Sequence, residues 1–123
     1  VERQFLKKII ELECGEHVTV LNSDKPNWFI LKLSNGQKTF ASVRLGKKAI
    51  TINIDTVLGT TVEQIIGLRE GISYNSTIKR DHIQNRTKIE YSQLDIVSVI
   101  LREMIKSNSC HIETYKDRRE AST

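Results

Sequence analysis

Few side chains in these 123 residues are of a kind that does covalent or metal chemistry. The histidines are His17, His82 and His111, and the cysteines are Cys14 and Cys110. None of the histidines has a second His or Cys at the short spacing of zinc-ligand pairs. Cys110 and His111 are adjacent, so their side chains diverge in a helix or a strand, and a zinc site there needs partners from distant sequence. No signature supports Cys14 as a nucleophile with any histidine. A metal-dependent nuclease centre needs clustered carboxylates to hold its cation. Asp55 is the nearest acid at a strand end, but Glu63, Glu70 and Glu90 are followed two positions on by Ile65, Ile72 and Ser92, so no Glu-x-Lys pair completes it. There is no Gly-x-Gly-x-x-Gly turn and no Walker loop, and Gly46-Lys47-Lys48 reads as a simple turn. The expectation is no catalytic centre, no metal and no cofactor, and a binding domain more readily than an enzyme.

The charge is more informative. The chain carries a net +4, and the excess is confined to two segments. Residues 25–54 hold Lys25, Lys32, Lys38, Arg44, Lys47 and Lys48 with no acid, and residues 79–88 hold Lys79, Arg80, Arg86 and Lys88 against Asp81 alone. The remaining stretches are slightly acidic. Lysine on exposed strands also guards sheet edges against unwanted pairing. The alternative is contact with a phosphate backbone, where each neutralised phosphate releases counterions. Trp28 is a candidate base-stacking platform, although a strand tryptophan beside Phe29 is more often core or half-core.

The elements that must position these residues follow from hydrophobic periodicity. Residues 1–14 read as an amphipathic helix with Val1, Phe5, Ile9 and Leu12 on its stripe, widened by Leu6 and Ile10. Strands are expected at 17–21, 28–33, 38–45 and 49–54. Ile50, Ile52 and Ile54 alternate with Thr51 and Asn53, while Ala41, Val43 and Leu45 alternate with Phe40, Ser42 and Arg44, so the meander has one dry face. Asn35-Gly36 predicts a type I′ hairpin turn. Thr60 or Thr61, with Glu63 or Gln64 three residues on, forms a capping box for a helix from Val62, closed by Gly71. Residues 71–87 read as a long polar loop, with a short strand at 87–91. Ser92 and Asp95 open a last helix whose stripe is Leu94, Val97, Leu101 and Met104. Residues 1–106 thus form one α+β domain, an antiparallel meander of four to five strands with the N- and C-terminal helices on one face, and 107–123 a polar, flexible tail.

The two cysteines are too few for a disulfide framework and suit a cytoplasmic protein. No apolar run approaches a membrane span. Asn75-Ser76-Thr77 and Asn85-Arg86-Thr87 match the glycosylation pattern and read as chance. The chain opens on Val rather than Met, so the expectation is a trimmed chain or one domain of a longer protein.

The stretch NWFILKLSNGQKTFASVRLGKKAITINI, an aromatic-led strand, a Lys-x-Phe-Ala return strand, a basic turn and an Ile-alternating strand, resembles a small bacterial α+β accessory domain found beside restriction-type nuclease or predicted transport-protein modules. It is similar in second place to the YjbR-like double-wing family, which shares the sheet and a C-terminal helix. The resemblance spans about residues 17–105, with its specific part at 38–54. It implies an accessory role, DNA binding included, and no catalytic residue carries over. The polar stretch 71–87 departs from the compact connection of such domains.

The expected function is therefore a non-catalytic nucleic-acid-binding accessory domain. Its phosphate contacts, to DNA foremost, come from Lys38, Arg44, Lys47, Lys48, Lys79, Arg80, Arg86 and Lys88, with Trp28 as the stacking candidate. Such contacts position a nucleic acid without reading its sequence. A protein-interaction or homodimerisation module, using an edge strand at 17–21 or the N-terminal helix, is the second reading. A small-ligand or catalytic domain with a site between sheet and helices is the third. Whether the two basic segments share one face decides most of this.

Overall fold

Successive side chains of a strand leave opposite faces of a sheet, and this alternation builds most of the molecule. The computed structural model describes residues 3–34 and 38–111. Six antiparallel strands, β1 (Val18–Asn22), β2 (Trp28–Leu33), β3 (Thr39–Leu45), β4 (Ala49–Thr56), β5 (Ile72–Ile78) and β6 (Ile83–Glu90), form one sheet in the order β1-β2-β3-β4-β6-β5. The helices are α1 (Arg3–Cys14), α2 (Val62–Ile66) and α3 (Ile96–Lys106). They lie on one face, giving the expected α+β architecture with six strands in place of four or five.

Register fixes what the covered face contains. Phe29, Val43, Ile52 and Thr87 face one another across β2, β3, β4 and β6, and Leu31, Ala41, Ile54 and Asn85 form the next row. Leu6, Ile10, Cys14, Val97, Ile100, Leu101 and Met104 of α1 and α3 complete the core against these rows. Phe40, expected beside Arg44, is fully buried and joins this core. The register slips there: Leu31 faces Ala41 but Lys32 faces Thr39, so Phe40 is the unpaired residue of a bulge.

Helix α1 carries two overlapping apolar stripes, and only one can face the sheet. The winning stripe is Leu6, Ile10 and Cys14, a spacing of four that stays on one helical face. Phe5 and Leu12, expected inside, are 55% and 85% exposed, and Val1 lies outside the described residues. Burial pushes the Cys14 thiol up from its ordinary value.

The capping box forms as expected at Thr61. Its Oγ1 accepts the Gln64 N–H (3.1 Å) and the Gln64 Oε1 accepts the Thr61 N–H (2.9 Å). The helix ends at Gly67 rather than Gly71, because Gly67 sits at φ +81°, where other residues are strained. Asn85 anchors α2 to the sheet. Its Oδ1 accepts the Val62 N–H (3.1 Å) and the Ser76 hydroxyl (2.9 Å), and its Nδ2 donates to the Ile54 carbonyl (3.0 Å) and to Thr56 Oγ1 (2.9 Å).

The largest departure is at 71–87, which is not a loop but the β5–β6 hairpin. Its strands escape a hydrophobic search because Asn85 and Thr87 occupy buried positions and β5 is an edge strand with a polar alternation of Ser73, Asn75 and Thr77. Before α3, a 3₁₀ turn (Tyr91–Gln93) replaces the expected first helical turn. The chain after α3 docks on β4: Val57 N–H donates to the Ser109 carbonyl (2.9 Å), His111 N–H to the Asp55 carbonyl (2.8 Å), and Thr56 bridges Cys110. The docked residues Ser109, Cys110 and His111 belong to the stretch 107–123 expected as a tail, and residues 112–123 lie outside the described residues, as does the Asn35-Gly36 turn. No helix among the described residues is long and apolar enough to cross a membrane.

Candidate nucleic-acid interface on the open sheet face

The face opposite the helices receives every alternate side chain, and register sorts these into rows. One row runs Trp28, Arg44, Thr51, Lys88 and Ser73. The next runs Leu21, Ile30, Ser42, Asn53, Arg86 and Asn75. The question of a shared face is therefore answered in part. Arg44 from the first basic segment and Arg86 and Lys88 from the second stand together on this surface. Arg44 and Lys88 are two strands apart, about 10 Å at ordinary strand spacing.

The other five cations do not join them there. Lys47 and Lys48 occupy the β3–β4 turn at one end of the sheet. Lys79 and Arg80 occupy the β5–β6 turn at the other end, and Lys38 precedes β3 at that same end. The two ends are separated by the length of β6, roughly 25 Å. All eight cations are exposed, and none of them forms an ion pair among the described residues.

Trp28 sits at the rim of this face, half-buried. The Lys25 ammonium and the Arg44 guanidinium each lie 5.9 Å from its ring centroid, within cation–π range. The β1–β2 loop holds it there. Asn27 takes a positive φ of 64° and its carbonyl accepts the Leu45 N–H (2.8 Å), while Ser23 N–H donates to the Trp28 carbonyl (3.1 Å). Between this loop and β5 the sheet cups a cavity of about 420 Å³. Ile30, 1% exposed, gives it an apolar patch, and Asn53, Asn75, Gln84, Arg86 and Asp55 supply polar groups from β4, β5 and β6. The third reading from sequence places a small-ligand or catalytic site between sheet and helices. This one lies on the other side, because Asn53, Asn75 and Gln84 alternate outward while their neighbours fill the core.

Sequence reasoning missed a second cluster. His82 and His111 stack with ring centroids 4.8 Å apart and planes 7° from parallel. Asp81 Oδ1 lies 2.6 Å from His82 Nδ1, Asp81 Oδ2 lies 3.9 Å from His111 Nε2, and Asp55 Oδ2 lies 3.5 Å from His82 Nε2. The hydrogen bond to His82 holds the Asp81 carboxyl below its ordinary value. No linear spacing could reveal this group, because His111 arrives only through the docking of the chain after α3 onto β4. No family model, curated protein or solved structure matches this chain.

Proposed function

We propose that the open face binds a single-stranded nucleic acid, as a non-catalytic accessory domain in a cytoplasmic setting. Arg44, Arg86 and Lys88 meet successive phosphates, and the cleft beside Trp28 admits a nucleotide. The observation that carries this reading is the placement of those three cations, without ion-pair partners among the described residues, on adjacent rows beside the sole tryptophan. A single strand suits the concave cleft better than a duplex, since unpaired bases can leave the stack and enter it. The turn cations at the two sheet ends extend the positive track for a longer strand.

Trp28 is the built-in reporter. Titration with single-stranded DNA or RNA is expected to quench its fluorescence. Log K is expected to fall with log salt at a slope of about −2 for three phosphates on a single strand. No quenching and no binding at low salt overturns the proposal. The cavity favours a second reading, a small anionic ligand, because its volume lies within the range of small-molecule sites. A mononucleotide that binds as tightly as a long oligonucleotide supports that reading instead.

A further inference from the structure

We infer that Asp81, His82 and His111 form a site for a divalent transition-metal ion of the zinc class, with Asp55 as its outer partner. The ligand atoms of the three residues all lie within 4.8 Å of one another. Ligands on a tetrahedral zinc ion stand about 3.3 Å apart, given bonds near 2.0–2.1 Å, so modest side-chain movement closes the set. Two imidazoles and one carboxylate suit a borderline ion, whereas calcium and magnesium prefer all-oxygen sites. The Asp81 side chain is 62% exposed, which leaves the ion a solvent side for water.

An independent observation concerns His82. Its side chain is only 9% exposed, and its Nε2 is buried with no hydrogen-bond partner, although Asp55 Oδ2 is 3.5 Å away. A metal-bound histidine characteristically donates its second ring N–H to a carboxylate. With Nδ1 toward Asp81 and His111, the Nε2–H of His82 faces Asp55 in that arrangement. An imidazole lone pair lies in the ring plane, so two near-parallel rings must tilt to share one ion. A tilt of His82 that breaks the stacking also lets Nε2–H swing toward Asp55. The bound ion then clips the β5–β6 turn to the segment after α3. This inference stands apart from the nucleic-acid reading.

The test uses the full chain, freed of metal with a chelator and titrated with zinc against a chromogenic competitor. One ion per chain at micromolar or tighter affinity is expected, with a rise in melting temperature. Cobalt is expected to give a spectrum without thiolate charge transfer. His111→Ala and Asp81→Asn are expected to abolish stoichiometric binding, and Asp55→Asn to weaken it ~10-fold or more. Neither His111 nor Asp81 is in the buried core, and circular dichroism checks that both variants fold. Long-range nitrogen NMR follows the ring nitrogens of His82 directly in the wild type. Absence of stoichiometric binding, or unchanged binding in His111→Ala and Asp81→Asn, overturns the inference.

Discussion

The two faces of this sheet come from the same strands and differ by one residue of phase. On β4 the covered face presents Ile50, Ile52 and Ile54, and the open face presents Thr51, Asn53 and Asp55. On β6 the covered face presents Ile83, Asn85, Thr87 and Ile89, and the open face Gln84, Arg86 and Lys88. Buried apolar side chains are concentrated on the first set, and the exposed cations Arg86 and Lys88 stand on the second. A helix layer that removes one side from water leaves the other free to carry charge without desolvation cost.

The comparison breaks first where the core is densest. Phe29→Ala is expected to cost about 3–5 kcal/mol in urea unfolding, because Phe29 is fully buried among Val43 and its neighbours. A loss near zero would mean that the covered face is not the stabilising one. Asn85→Ala sharpens the comparison, since it removes a polar residue from the covered face. It is expected to cost roughly 2–3 kcal/mol, because the Val62 N–H and the Ile54 carbonyl lose their buried partner. Native-state hydrogen exchange at Val62 should rise in parallel, and unchanged protection there would refute the anchoring role.

On the open face the expectation reverses. Arg86→Glu with Lys88→Glu is expected to leave stability within about 0.5 kcal/mol. It should also lower the salt slope of single-strand binding by about 1.4, two phosphates at about 0.7 each. Matching losses of affinity and stability would erase the division between the faces. The smallest effect lies at the sheet end. The Asp81 carboxyl is lowered by its hydrogen bond to His82, so it stabilises the fold above the ordinary aspartate value. That contribution is lost as pH falls through that value toward the lowered one. Asp81→Asn should flatten this part of the acid unfolding profile, and identical profiles for the two proteins would show that the bond contributes nothing.

Legibility followed the same division. β2 was readable to the residue at Trp28–Leu33, and the Thr61–Gln64 box by spacing alone, because both depend on neighbours in sequence. The β5–β6 hairpin was not readable. Asn85 belongs to the inward set because α2 and β4 supply partners for its polar atoms, and Thr87 because register places it beside Ile52. The cations Arg44, Arg86 and Lys88 were identifiable as residues but not as a group, since β6 comes to lie against β4.

By itself the sequence determined the class of fold, the apolar phase of β4 and, Phe40 apart, of β3, and the two segments that hold the charge. Each of these is a local matter of period, turn chemistry and composition. Only the tertiary structure decided which stripe of α1 is buried, that Phe40 enters the core through a bulge, that three cations share a face with Trp28, and that His111 meets His82. Those outcomes depend on register and docking between distant segments, where the free energy of a whole layer chooses among locally equivalent alternatives.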